Sequence, residues 1–343
     1  MSEDIVLTGW DYWLPVIFIG LMGLSFFIYA VLDGYDLGVG ILLPMDAKAA
    51  TKDERDTMIA SIGPFWDANE TWLVLAVGLL LIAFPSANAL ILGQLYLPAL
   101  VLLLGLILRG VAFDFRAKSP SEHKRRWDWV FKTGSMLATF SQGVMIGLYV
   151  VGFEYNALSI AFALLSGVCV SAGYCFIGAA WLVMKTEHDL QRRAANWART
   201  MLWVTLLGLA LISIVNPWAN PDVYGKWFGF PQFFILLLVP LSIFVISVVT
   251  ELYLRDFPRT GERWCWLPFA GAVVLFLLSF LGLGYSFFPD IVPGQLTVWQ
   301  AAADSSALIP IGLGAVIVVP VILIYTAYAY RVFWGKATEL KYH

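Results

Sequence analysis

The chain alternates long apolar runs with short polar connections. A helix needs about 20 apolar residues to cross a bilayer. Nine runs reach that scale, near residues 13–42, 60–83, 88–113, 127–152, 157–184, 198–215, 231–253, 265–288 and 306–334. The fourth run is the most diluted, because it contains the polar residues Lys132, Ser135, Thr139 and Ser141. Backbone polar groups in lipid must be satisfied within a segment, so we predict an all-α polytopic membrane protein with one integral membrane domain, residues 1–343.

The basic residues predict the orientation of these spans. Lys and Arg accumulate in the cytoplasmic connections of membrane proteins. All but two of the 21 Lys and Arg residues lie in or beside the connections that follow odd-numbered spans, or in the C-terminal tail. The exceptions are Arg109, within the third span, and Lys226. One missed or invented span would abolish this asymmetry, so it predicts nine transmembrane helices with the N-terminus outside and the C-terminus inside.

The composition agrees with a bilayer environment. Apolar residues make up 60% of the chain and charged residues 13%, against about 45–50% and 25% in ordinary globular proteins. The first residues, MSEDIVLTGWDYW, are acidic, so we expect the first run to be a retained span and not a cleaved signal. The cysteines Cys169, Cys175 and Cys265 form no CxxC pair and are expected to be small apolar packing residues.

Ionisable residues within the apolar runs collect in the predicted cytoplasmic half of the first three spans. They are Asp33, Asp36, Asp67, Glu70, Arg109, Asp114 and, just beyond the third span, Lys118. The two carboxylates of the second span are expected about 10–15 Å inside it, at 1.5 Å per helical residue. The carboxylates of the first span are three positions apart and share a helix face, as do those of the second. Arg109 and Asp114 are five apart, so each is expected to meet a group on another span.

These charges predict a polar inlet from the cytoplasm. A charge at membrane depth costs several kcal/mol unless it is paired or hydrated, and such groups mark ion or proton pathways. For Asp67, Asp114 and Arg109 we favour a functional role. For Asp36, Glu70 and Lys118, a structural charge pair or a helix-end group is an equal alternative.

Two glycines lie among the aspartates of the first span. In LDGYDLGVG, Gly34 and Gly38 have the GxxxG spacing that lets helices approach closely. A close helix contact at this point would keep lipid away from Asp33 and Asp36.

The histidines are placed outside the spans. His123, His188 and His343 fall in predicted inner connections or in the tail, so the chain offers no histidine ligand for a buried heme. There is no carboxylate–histidine cluster for a di-metal centre and no P-loop or dinucleotide fingerprint. We therefore predict no metal site and no redox centre on this chain alone.

Several segments carry a family resemblance. VLDGYDLGVGILLP, then SIGPFWDANETWLVLAVGLLLIAFP, then LRGVAFDFRAK followed by WDW, in this order, resemble subunit II of cytochrome bd-type quinol oxidases. The later segments LTVWQAAADSSAL and VPVILIYTAY are also similar to that family. The resemblance extends over the whole chain, and its most specific motifs lie in residues 31–129.

The resemblance implies a fold, an activity and a set of partners. The fold is two four-helix bundles plus a peripheral ninth helix, in the bacterial or archaeal cytoplasmic membrane. The activity is quinol oxidation coupled to the reduction of dioxygen to water, with proton intake from the cytoplasm. Subunit I is the expected partner and carries two b-type hemes and one d-type heme, whereas subunit II is heme-free. Small single-span accessory subunits, bound lipid and a bound quinone are left open, and no nucleic-acid partner is expected.

The resemblance also assigns roles to charged residues. Asp67, in the WDxNE stretch, matches a carboxylate on the proton-intake path. Asp114 and Lys118, in FDFRAK, match residues nearer the mouth of that path. Arg109 matches a charged residue beside it.

Other positions match less completely. Asp33 and Asp36 match the family's aspartate pair, for which a role in shaping the heme-side interface is one interpretation. The family's second span usually has Gly before the Asn and Gln or Glu after it. This chain has Ala68 in the first of these places and Glu70, the charged alternative, in the second. The carboxylate of Glu70 adds a charge that could alter the proton affinity of the inlet.

Two other functions remain as alternatives. A proton-coupled secondary transporter would also place carboxylates in Gly-rich helices, but transporter sites generally lie near the midplane within inverted repeats. The charges here are biased to one side and no repeat is evident. A structural membrane scaffold would explain the helices and glycines, but it would leave Asp67, Asp114 and Arg109 without a purpose.

Overall fold

The structure is a computed structural model that describes residues 9–46, 51–257 and 262–337. The acidic start of the chain falls outside these ranges. So do the basic residues Lys48, Arg259 and Lys341 that entered the orientation prediction, and the tail histidine His343.

The described chain is almost entirely helical. In chain order the helices are α1 (Trp10–Leu42), α2 (Lys52–Ile62), α3 (Trp66–Ala83), α4 (Pro85–Lys118), α5 (Lys124–Val150), α6 (Ala157–Lys185), α7 (His188–Ala219), α8 (Pro221–Phe228), α9 (Gln232–Leu236), α10 (Leu238–Asp256), α11 (Leu267–Phe287), α12 (Val298–Ala301) and α13 (Ser305–Val332). A short antiparallel pair, β1 (Asp290–Val292) and β2 (Leu296–Thr297), precedes α12. A 3-10 turn, Glu262–Trp264, precedes α11.

Eight helical segments in the described ranges are long and apolar enough to cross a membrane. They are α1, α3, α4, α6, α7, α9 with α10, α11 and α13. The prediction of an all-α polytopic membrane protein is therefore confirmed, and these eight agree with eight of the nine predicted runs.

The remaining predicted run, the fourth, is α5, which has 27 residues but is too polar to count among those eight. It packs between α4 and α6. Its residues Ser135, Thr139 and Ser141 are buried, and the Thr139 hydroxyl lies 3.0 Å from the hydroxyl of Ser171 on α6. The polar residues that dilute this run thus face neighbouring helices, where a low hydropathy carries no penalty from lipid.

The predicted second span divides into two helices. The chain turns at Gly63 and Pro64, so α2 ends at Ile62 and α3 begins at Trp66. Apolar patterning missed α2, because this helix is polar and its start is fixed by a local capping box between Thr51 and Glu54. Asp67 consequently lies in the first turn of α3, and the predicted depth of 10–15 Å inside a longer helix is wrong.

Charged contacts gather at the end of the bundle where α2 lies, which we call the α2 end. Arg116 of α4 donates from Nη2 to Asp56 Oδ1 at 2.6 Å, and Arg193 of α7 pairs with Glu54 of α2. At the opposite end, the Tyr149 hydroxyl donates to the carbonyl of Ile291 at 3.1 Å. The helix α2 is therefore held against α4 and α7, and the β1–β2 pair closes the other end.

Three lysines each satisfy the last carbonyls of another helix. Lys132 of α5 donates to the carbonyls of residues 41 and 43 of α1, at 2.6 and 3.0 Å. Lys226 of α8 donates to those of residues 286 and 288 at the end of α11, at 3.0 and 2.7 Å. Lys185 of α6 donates to those of residues 333–335 after α13, at 2.6, 3.0 and 3.1 Å. A cation at a helix C-terminus also complements the helix dipole, so these contacts fix both position and direction.

The first span crosses α6 at very close range. A Cβ on Gly38 would overlap the carbonyl oxygen of Tyr174, and a Cβ on Gly178 would lie 2.7 Å from the carbonyl carbon of Gly38. The predicted close approach at the GxxxG spacing is confirmed. Asp33 and Asp36 are fully buried beside this crossing.

We predict that Gly38→Ala destabilises the protein by about 1–3 kcal/mol, because the added methyl group must separate two packed backbones. The measurement is the thermal unfolding midpoint of the purified complex. Gly20→Ala, in the same helix, is the matched control, since a Cβ there meets nothing within 4 Å. Equal midpoints for the two variants would contradict the assigned contact.

Candidate functional site

Four ionisable side chains from three helices meet inside the bundle near the α2 end. Asp33 and Asp36 come from α1, Glu70 from α3 and Arg109 from α4, and we call these four residues the Arg109 cluster. Asp33 and Asp36 share a helix face, as their spacing predicted, and that face points towards Arg109.

One guanidinium nitrogen makes the closest contacts of the cluster. Arg109 Nη1 donates to Asp33 Oδ1 at 2.6 Å and to Glu70 Oε1 at 2.9 Å. The second terminal nitrogen, Nη2, lies 3.8 Å from Asp36 Oδ2, which is beyond hydrogen-bond distance. The expectation that Arg109 meets groups on other spans is therefore confirmed by contacts to both α1 and α3.

The cluster is buried unevenly. The side chains of Asp33, Asp36 and Arg109 are 0% exposed, whereas that of Glu70 is 25% exposed. Glu70 is thus the member through which the cluster reaches the surface of this chain. Three carboxylates share one guanidinium, so a fully ionised cluster would carry two uncompensated negative charges.

An amide network connects the cluster to the C-terminal helix. Asn69 Nδ2 donates to Asp36 Oδ2 at 2.7 Å and lies 3.1 Å from the hydroxyl of Tyr35. The Tyr330 hydroxyl of α13 donates to Asn69 Oδ1 at 3.2 Å and lies 2.5 Å from that of Tyr35. Sequence analysis did not identify Asn69, although a buried amide inside an apolar helix must find partners.

A second polar branch lies on the other side of Asp33. Gln142 Nε2 of α5 donates to the hydroxyl of Tyr29 at 2.8 Å, and the Tyr174 hydroxyl of α6 donates to Gln142 Oε1 at 2.7 Å. Tyr29 is one helical turn before Asp33 on α1. Gln142 and these tyrosines were also missed, because their partners come from distant parts of the chain.

The remaining predicted site residues do not join the cluster. Asp67, Asp114 and Lys118 are exposed on the surface of this chain. They extend two rows of exposed side chains, which we call the α3–α4 stripe. The rows comprise Asp67, Thr71, Val74 and Leu81 of α3, and Leu100, Leu104, Ile107, Val111, Asp114 and Lys118 of α4. The acidic and basic groups therefore stand at the α2 end of an apolar surface.

The two rows of the stripe are joined beside the cluster. The ring of Trp66, at the start of α3, lies 5.0 Å from that of Phe113 on α4. Asp67 and Asp114 follow these two aromatic residues directly in sequence. The Arg109 guanidinium lies 5.9 Å from the centroid of the Trp66 ring, so this aromatic pair lies beside the buried cluster and next to the exposed acidic groups.

The end of α4 is fixed by ion pairs on its buried side. The Arg116 side chain is 7% exposed and pairs with Asp128 of α5 and Asp56 of α2. Asp128 also forms an ion pair with Arg55, whose Nε lies 3.4 Å from Asp128 Oδ2. This network holds the last turn of α4, so Lys118 projects from a helix end of defined position.

The fold and the site define a polytopic helical membrane protein whose ionisable groups are concentrated at one end of its bundle. The family model described as cytochrome bd terminal oxidase subunit II matches residues 14–333, and the chain belongs to that family. It is one subunit of a membrane-bound quinol oxidase complex that carries hemes and contains a subunit I, in the bacterial inner membrane. The predicted resemblance is confirmed, and the oxidase function is favoured over the transporter alternative.

Individual relatives agree with this assignment. The chain is 30% identical to cytochrome bd-I ubiquinol oxidase subunit 2 of Escherichia coli strain K12, over 93% of this chain and 94% of the relative. It is 27% identical to cytochrome bd ubiquinol oxidase subunit 2 of Bacillus subtilis, over 96% and 97%. The solved bd oxidase from Geobacillus thermodenitrificans has a similar fold, with a TM-score of 0.76, 19% identity and coverage of 93% and 98%.

We predict that Arg109→Leu destabilises the protein by about 3–5 kcal/mol, because it leaves buried carboxylates without their cation. Arg199→Leu is the control. Its partner Glu251 lies 2.5 Å away, but the Arg199 side chain is 45% exposed, so the loss should be about 0–1 kcal/mol.

The measurement for Arg109 is the thermal unfolding of the complex together with its heme absorption spectrum. Adding Asp33→Asn to Arg109→Leu should recover part of the lost stability, since it removes one of the unpaired charges. Normal assembly, normal spectra and a normal unfolding midpoint for the single variant would show that this cation is dispensable.

Proposed function

We propose that this subunit takes up protons from the cytoplasm for the reduction of dioxygen in the complex. The observation that carries the proposal is the placement of Asp67, Asp114 and Lys118 together at one end of the α3–α4 stripe. Exposed apolar rows on a membrane helix face lipid or another protein. If subunit I covers this stripe, the three charged groups line a path between the subunits. Lys118 would lie at its mouth, and Asp67, on the neighbouring helix α3, would lie deepest.

The orientation follows from the same placement. We propose nine transmembrane helices, the eight apolar ones together with α5, with the N-terminus outside and the C-terminus inside. Lys124 at the start of α5 lies 3.6 Å from Asp56 at the α2 end, and Val150 at its end accepts a hydrogen bond from Asn220 at the opposite end. The helix therefore runs the length of the bundle, and the basic residues concentrate at the α2 end, which we place in the cytoplasm.

The helices group as a single domain of two bundles. We assign α1, α3, α4 and α5 to one four-helix bundle and α6, α7, α10 and α11 to the other, because the contacts within each set link all four members. The bundles join where α6 packs against both α1 and α5. Helix α13 is peripheral, since Leu308 and Val319 are its only buried residues within the described range.

The electron chemistry is assigned to subunit I. We propose that subunit I holds two b-type hemes and the d-type heme, and that this chain is heme-free. In the described part of this chain, His123 precedes α5, and His188 opens α7 with a side chain that is 93% exposed. Neither position suits an axial ligand in a bundle interior. The relatives named as ubiquinol oxidases support a quinol as the electron donor.

The first test is a reduced-minus-oxidised absorption spectrum of material purified through a tag on this chain, expressed with its native partners. Bands of b- and d-type heme that co-elute with a second large membrane subunit are expected. A folded, colourless, single-chain preparation would contradict the assignment of the hemes to a partner of this chain.

We predict that Asp67→Asn lowers oxygen consumption by about 10²-fold, the lower end of the range for losing a positioned proton-transfer group. Heme content and unfolding midpoint should be unchanged, because Asn is nearly the same size as Asp and Asp67 is not part of the packed interior of this chain. Asp222→Asn is the control, since Asp222 is an exposed first-turn carboxylate of α8, at the opposite end. Wild-type oxygen consumption by Asp67→Asn at every pH would remove this residue from the path.

A further inference from the structure

Within the part of the chain that the structure describes, four buried polar atoms of the Arg109 cluster have no hydrogen-bond partner. They are Asp33 Oδ2, Asp36 Oδ1, and Nε and Nη2 of Arg109. All three side chains are completely buried. Two of these atoms are acceptors and two are donors. Buried polar groups are normally satisfied by protein or by ordered water, so the arrangement points to a further component of the site.

The spacing within the cluster fits water between the guanidinium and Asp36. Arg109 Nη2 and Asp36 Oδ2 are 3.8 Å apart, and a polar contact of that length is commonly bridged. A water molecule could accept from the guanidinium and donate to a carboxylate oxygen, which would satisfy one atom of each kind.

Water leaves the charge of the cluster unbalanced. One guanidinium compensates one carboxylate, and an uncompensated ion in a protein interior costs several kcal/mol even after relaxation. Asp33 and Asp36 alone exceed the charge of Arg109, before Glu70 is counted. Among the described residues no other Lys or Arg forms an ion pair with any of these carboxylates. Proton binding is the neutralisation that the side chains themselves allow.

We propose that the Arg109 cluster is a proton-binding site, in which Asp33 and Asp36 share at least one exchangeable proton that enters and leaves through Glu70. Glu70 is suited to this exchange because it contacts Arg109 and is the member with surface exposure. The transfer moves one proton from the Glu70 carboxyl to an aspartate carboxylate, through bound water, and breaks no other covalent bond.

The polar groups around the cluster restrict where this proton can go. The titratable side chains that face it from the packed helices are Tyr29 and Tyr35 of α1, Asp67 of α3, Tyr174 of α6 and Tyr330 of α13. Tyrosine hydroxyls exchange protons far less readily than carboxyl groups near neutral pH. Asp67 is therefore the neighbouring carboxyl with which Glu70 can exchange, one helical turn away on α3.

The existence of the proton-binding site does not depend on the proposed inlet, whereas its refilling from the cytoplasm rests on the proposed function. In that arrangement the cluster stores a proton beside the path and does not form its main line. The two proposals predict different effects of substitution. Loss of Asp67 should block proton uptake along the path, and loss of Asp33 or Asp36 should abolish the bound proton.

The test is infrared difference spectroscopy on the purified complex, perfused alternately with acidic and alkaline buffer, in H2O and in D2O. We expect a carbonyl stretch of a protonated carboxylic acid that shifts in D2O and is lost in Asp36→Asn or Asp33→Asn. Glu251→Gln is the matched control, because Glu251 is a membrane-helix carboxylate paired one-to-one with Arg199, and the band should be unchanged in it.

Glu70→Gln provides an independent readout if the aspartate variants fail to assemble. The wild-type band should persist in this variant, but its exchange with D2O should slow, since the route to the surface is blocked. A band that survives both aspartate substitutions, or that exchanges at the wild-type rate in Glu70→Gln, would overturn the proposal. Absence of the band together with stabilisation by added sodium chloride would assign the compensating charge to a bound cation instead.

Asp67→Asn separates this proposal from the inlet. If the inlet assignment is right, turnover falls while the infrared band remains. If turnover is normal but the aspartate variants lose the band, the proton-binding site stands and the inlet assignment fails.

Discussion

The structure depends on one buried cation. The Arg109 side chain of α4 is 0% exposed and pairs with carboxylates of α1 and α3. On its exposed side, α4 presents a mainly apolar row of side chains. Removing ions from water is costly, and here that cost is offset by the contacts of Arg109 with Asp33 and Glu70 and by the hydrogen bond from Asn69 to Asp36. Among the described residues, the enclosing helices bring one cation to three carboxylates, so the charge of the fully ionised cluster is not balanced. The proposed proton binding follows from this imbalance.

Close packing makes the enclosure possible. The crossing of α1 and α6 at Gly38 and Gly178 brings two backbones together, with Tyr174 stacked against the glycine face. This close crossing keeps lipid away from Asp33 and Asp36, which are fully buried beside it. Lysines that satisfy the C-termini of α1, α11 and α13 then hold the helix ends in place. Backbone geometry and buried charge are thus parts of one arrangement.

Much of this arrangement could be predicted from the sequence, since lipid imposes a strong pattern. The lengths of the apolar runs located eight helices that are long and apolar enough to cross a membrane. The residue spacing correctly placed Asp33 and Asp36 on one helix face and predicted that Arg109 contacts another helix. The helix α2 escaped because it is polar and starts at a local capping box, which hydropathy does not detect. Asn69, Gln142 and Tyr330 escaped for a different reason: each pairs with residues far away in the chain, and a single sequence does not record such pairs. The sequence also grouped seven charged residues as one inlet, whereas burial divides them.

That division has a physical consequence. The charged groups of the α3–α4 stripe are exposed on this chain, so under the proposed coverage their surroundings would include the partner subunit, whereas Asp33 and Asp36 are enclosed by the helices of this chain. Glu70 belongs to both environments, since it contacts Arg109 on one side and is a quarter exposed on the other. A Gln side chain at position 70 would keep a similar shape and could still form hydrogen bonds, but it could not carry a proton between the buried and the exposed environment. In the proposed arrangement, the carboxylate of Glu70 connects the buried proton-binding site of this chain to a proton path that lies between two subunits.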